Sequence, residues 1–142
     1  MRIEEIVSKL LDERREMAQL ASENFEKEKG LKAAIENNDE DAAGALDDAI
    51  MTNFNKIMGL LNSVSKLTAQ IEKALSILNY KTHQLVSQYS RLDKNSDEAI
   101  AIKSKIDKNK NIIAYLVMVL QAEYQQPENN SIKTKSEERN EL

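Results

Sequence analysis

The chain has 142 residues, 41% of them hydrophobic but only 4% aromatic, with 3 Gly, 1 Pro and no Trp. That is too few strand-forming and turn-forming residues for a sandwich, a barrel or a doubly wound sheet, and it predicts long helices. The net charge of -4 argues against sequence-independent nucleic-acid binding, while zero Cys and a single histidine, His83, exclude a disulfide scaffold, a thiolate metal site and any site needing two imidazoles. No cofactor, no metal and no enzymatic activity is expected.

Apolar residues fall at Ile3, Leu10, Met17 and Leu31, with Ile6, Val7, Leu20, Ala21, Phe25 and Ile35 beside them, on one helical face, which predicts helix 1 over 3 to 36. The start is acidic, with Glu4 and Glu5 where a signal peptide needs basic residues and an unbroken apolar run. Asn37 and Asn38 compete with the helical backbone for hydrogen bonds and end the helix, and Asn38, with Asp41 three residues on, reads as the N-cap of the next one. Asp39, Glu40 and Asp41 then complement its dipole. They do not form a calcium loop, which needs Asp or Asn at positions 1, 3 and 5 before its Gly, because position 5, before Gly44, is Ala43.

Helix 2, predicted over 39 to 92, carries the clearest pattern: Ala43, Ile50, Ile57, Val64, Ile71, Leu78, Leu85 and Leu92 recur every seventh residue. Leu46, Leu60, Leu67 and Ala74 form a second row that fades into Lys81 and Gln88. A heptad kept this long is the signature of coiled-coil packing. A break near Asn62 and Ser63 would give a four-helix up-down bundle instead, and the unbroken heptad through Ile57, Val64 and Ile71 favours the continuous helix.

A polar turn, Asp93 to Glu98, precedes helix 3, with Asn95 or Ser96 as its cap. Helix 3 carries Ala99, Ile102, Ile106, Ile113, Leu116 and Leu120 and ends by Gln126, before Pro127. Residues 127 to 142 are polar and aperiodic and read as a disordered tail, leaving a single domain over 1 to 126. The longest apolar run, the nine residues from Ile112 to Leu120, falls short of the roughly 20 that span a bilayer, so a cytoplasmic protein without membrane insertion is expected.

The fold expected is all-α: long antiparallel helices in a coiled-coil-like bundle, the second helix very long. Folded back on helix 2, helices 1 and 3 overlap only near its middle. Toward each end, apolar rows then remain for a second copy of the chain or for another protein to cover.

His83 points away from the heptad seam and reads as a surface residue, whereas Tyr89 follows the seam. Asn53, Lys81, Gln88 and Asn109 interrupt the second apolar row, either as register-fixing buried groups or as half-exposed positions. The sharpest candidate is in helix 3. If Ile113, Leu116, Val117 and Leu120 face the bundle, then Ile112, Tyr115, Met118 and Val119 point away from it. That second face is either buried by the chain's own helices or a dimer mate, or it accepts an amphipathic helix of a client protein, for which an adaptable methionine suits.

The stretch Glu26 and Leu31-Lys32-Ala33-Ala34-Ile35-Glu36-Asn37-Asn38-Asp39, followed by the repeat from Ala42 to Ile57, resembles the N-terminal hairpin of FlgN-like flagellar export chaperones. Ile106-Asp107-Lys108-Asn109-Lys110-Asn111, running into Ile113 and Leu116, resembles that family's C-terminal helix, so the likeness covers roughly residues 3 to 124. The resemblance implies a cytosolic chaperone that holds the C-terminal helices of hook-filament junction proteins before type III export, with the client on helix 3. The competing reading is a homodimeric coiled-coil structural or adaptor protein with no client.

Overall fold

The computed structural model describes residues 2–124. The expected tail over 127 to 142, and the end of helix 3 at Gln126, lie outside the described residues. Those described form three helices in chain order: α1 (Ile3–Glu36), α2 (Glu40–Ser90) and α3 (Asp97–Tyr124). The fold is all-α, and α2 runs for 51 residues without a break at Asn62. The chain divides into two compact units within α2, between Thr68 and Ala69.

The first unit is an antiparallel hairpin of α1 and the first half of α2. Its turn is tight because α1 ends in a Schellman motif: the Asn38 amide donates to the Ile35 carbonyl at 3.1 Å and the Asp39 amide to the Ala34 carbonyl at 2.9 Å. Asn38 sits between them at φ 57, in the left-handed region that Asn tolerates better than most residues. The cap of α2 therefore falls one residue later than the sequence spacing predicts. Asp39 Oδ1 accepts the Ala42 amide at 3.1 Å, because Asn38 is occupied in closing α1 and a left-handed residue cannot also be the extended N-cap.

The core of this unit contains Ile6, Val7, Leu10, Leu20 and Ala34 from α1 and Val64 and Leu67 from α2. In its middle the apolar row gives way to a polar pair. Asn53 is 8% exposed and Asn24 9%, and Asn53 Nδ2 donates to Asn24 Oδ1 at 3.1 Å and to Glu23 Oε2 at 3.3 Å. Asn24 Nδ2 in turn donates to the Ile50 carbonyl at 3.2 Å. Of the four polar residues that interrupt the second row, Asn53 is thus a buried, satisfied group, whereas Lys81 and Gln88 are exposed and Asn109 is half-buried. A pair that is satisfied in one register and orphaned in the others fixes the alignment of α1 against α2. Two further contacts keep the same register. Ser63 Oγ donates to Glu13 Oε1 at 2.9 Å, and Leu46 lies against Gly30, where an added Cβ would meet its Cδ1 at 3.4 Å.

The second unit pairs the remainder of α2 with α3. Backbone bonds from Arg91 to Gln88 and from Leu92 to Tyr89 tighten the end of α2, and Ser96 caps α3, its Oγ accepting the Ala99 amide at 3.2 Å. Here Ile71 is fully buried, Thr82 is buried, and Leu78, Leu85 and Leu92 are half-buried, packed in a unit whose α3 buries Ala99, Ile102, Ile106, Leu116, Val119 and Leu120. The second row of α2 does not fade in this unit. Ala74 and Leu75 are both half-buried, and from there the row moves over by one residue, from the 81 and 88 positions to buried Thr82 and half-buried Tyr89. Thr82 tolerates burial because its hydroxyl donates back to the Leu78 carbonyl at 2.7 Å.

Candidate partner-binding surface

The face that the sequence assigns to a partner is on α3. Tyr115 is 51% exposed and Met118 65% exposed, while their neighbours Leu116 and Leu120 are buried. Ile112 is half-buried and borders the patch. Val119 does not belong to it, at 6% exposure. With Leu116 and Leu120 it forms an i, i+3, i+4 cluster, so the buried arc near the end of α3 is wide enough to take in Val119. Of the predicted site, Tyr115 and Met118 are the open apolar pair. Ile100, further along α3, is also exposed.

A second apolar surface lies in the first unit, where the periodicity of the main heptad draws attention away from it. Met51, Phe54, Met58 and Leu61 of α2 are each 42% to 50% exposed. Their spacing of three, four and three residues is a heptad pattern of its own, displaced about 110° around α2 from the Asn53 and Val64 side. Between Asp48 and Lys66 the sequence holds a single charged residue, Lys56. The usual charged outer face of an amphipathic helix is missing there, and that was the available signal. Phe25 is exposed on α1, level with this stripe by the Asn24 to Asn53 register, and Lys29 Nζ stands 4.5 Å from its ring centre.

The polar features are ordinary surface chemistry. His83 is exposed. The ion pairs Arg15 to Asp12, Lys29 to Glu26 and Lys103 to Asp107 join exposed side chains three or four residues apart. Lys103 is held above the ordinary lysine pKa, first by its hydrogen bond to Asp107 and then by that carboxylate's charge. An open groove of about 570 Å³ is lined by Gln19, Ser22, Glu23, Glu26, Lys27 and Leu46, without a grouping that would perform acid-base or nucleophilic work. Among the described residues no cluster of His, Cys, Asp or Glu is placed to hold a metal ion, and no helix is long and apolar enough to cross a membrane.

Comparison with protein-family models, with curated proteins and with solved structures finds no match to this chain. The functional reading rests on the two surfaces.

Proposed function

We propose that the chain is a non-catalytic helical binding protein, and specifically a cytoplasmic export chaperone of the FlgN-like kind, which holds the C-terminal helices of hook-filament junction proteins before type III secretion. The observation that carries the binding role is the open pair Tyr115 and Met118, standing on a helix whose opposite side is anchored by buried Ile102, Ile106, Leu116 and Leu120. A rigid helix with an aromatic and a methionine on its outer face suits a client helix. The tyrosine supplies area at low entropy cost and the methionine adapts to the side chains it meets. The flagellar client class is supported by the sequence resemblance.

The test is fluorescence anisotropy of a labelled C-terminal peptide from a hook-filament junction protein, titrated with the full chain and with the Tyr115→Ser/Met118→Ser variant. The proposal expects saturable binding by the full chain and at least tenfold weaker binding by the variant, with an unchanged melt. Binding that ignores the double substitution would move the client site elsewhere. No binding at all would sink the chaperone reading and favour the client-free adaptor.

A further inference from the structure

The α2 stripe asks for a different occupant. Isologous pairing of two identical chains needs a surface complementary to itself, and the stripe has that property along its length. Its spacing of three, four and three residues reads the same in both directions. An antiparallel second copy centred between Phe54 and Met58 therefore sets Met51 against the second copy's Leu61 and Phe54 against the second copy's Met58, apolar on apolar in every layer.

The charges at the ends select this direction. Asp47 and Asp48 are exposed at one end of the uncharged stretch and Lys66 at the other. Asp48 and Lys66 are about five helical turns apart and so lie on the same edge of the stripe. In the antiparallel pair, the second copy's Lys66 comes within roughly 3 Å, along the axis, of the level of Asp47 and Asp48. In a parallel pair, Asp47 would meet its own copy and Lys66 would stand level with the other Lys66, so that neither end brings opposite charges together. We infer that α2 mediates an antiparallel homodimer through Met51, Phe54, Met58 and Leu61, with Asp47 and Asp48 of each copy facing Lys66 of the other.

Area sets the strength. Four half-exposed large side chains offer on the order of 400 Å² per copy, so a pair covers about 800 Å², in the range of weak, reversible assemblies. The dimer forms at high concentration and dissociates on dilution. This surface uses none of the residues assigned to the client, and the inference stands whether or not the chain is a chaperone.

Sedimentation velocity over about 1 µM to 1 mM tests it. The native chain is expected to pass from monomer to dimer across that range, and Met58→Glu, a change at an exposed site, to remain monomeric with an unaltered helical spectrum. Direction is read by pulsed electron spin resonance. Because the chain has no native cysteine, Ala45→Cys can carry the only spin label, on the side of α2 away from the stripe. Antiparallel pairing separates the two labels by about 33 Å along the helix axes alone, whereas parallel pairing brings them within about 25 Å. A chain still monomeric at 1 mM would overturn the inference. So would a Met58→Glu variant that dimerises as before, or a label separation in the parallel range.

Discussion

Replacing Asn53 by Ala removes both hydrogen bonds that its amide donates, to Asn24 Oδ1 and to Glu23 Oε2. Glu23 is half-buried and can turn to water, but Asn24 is only 9% exposed and its oxygen would lose its partner inside the hairpin. An orphaned buried amide oxygen costs about 1 to 3 kcal/mol, and the small cavity left by the shortened side chain adds to that. We therefore expect Asn53→Ala to cost about 2 to 3 kcal/mol, read as a lowered midpoint in urea denaturation followed by helical dichroism. The paired change Asn24→Leu/Asn53→Leu behaves differently, because no polar group is left orphaned and the Ile50 carbonyl keeps its helical partner. Its stability should match or exceed that of the native chain. Its register is no longer enforced, since a Leu pair packs almost equally well one turn away, and heterogeneous amide resonances should report that loss. If Asn53→Ala costs less than about 0.5 kcal/mol, as at an ordinary surface position, the polar pair does not hold the hairpin together.

Leu116→Ala should open a cavity in the second unit and cost about 2 to 5 kcal/mol, while Tyr115→Ser/Met118→Ser melts close to the native chain; calorimetry of the two variants separates core from surface. Gly44 and Gly59 have no atom within 4 Å of a built Cβ and no positive φ, so Gly44→Ala and Gly59→Ala should each stabilise by about 0.5 to 1 kcal/mol, measured as a raised midpoint in urea. The raised pKa of Lys103 implies stability that is fully present below the ordinary lysine value and is lost as pH rises through the raised one. Titration by nuclear magnetic resonance should find Lys103 above the ordinary lysine value in the native chain and shifted down in Asp107→Asn.

The bounds of α1 are those that the apolar period and the Asn37-Asn38 pair indicate, and α2 is continuous as the heptad through Ile57, Val64 and Ile71 requires. Finer features escaped because they depend on which neighbour a residue meets. Whether Asn38 or Asp39 caps α2 depends on the tight α1 to α2 turn, which demands a left-handed residue at Asn38. Val119 lies about 60° from Leu116 and about 100° from Leu120, in the same sense around the helix, at the margin of the apolar arc, which alone leaves its side undecided, and packing in the fold buries it. Thr82 and Tyr89 replace Lys81 and Gln88 in the second row because α2 turns a slightly different arc toward the core of each unit. The stripe from Met51 to Leu61 is as plain in the sequence as the main heptad, but periodicity alone does not distinguish a face that packs inward from one that does not.

The two surfaces carry separate methionines, which permits one decisive measurement. Of the five methionines, Met118 reports on the client face and Met51 and Met58 on the α2 stripe, with half-buried Met17 as an internal control. In a methyl spectrum of the chain labelled at its methionine methyl groups, a junction-protein peptide added to dilute protein should move Met118 and leave Met51 and Met58 in place. Raising the protein concentration without peptide should do the reverse. A peptide that moves Met51 and Met58 while Met118 stays still, or that moves none of the three at saturating concentration, would contradict the assignment of the client to α3.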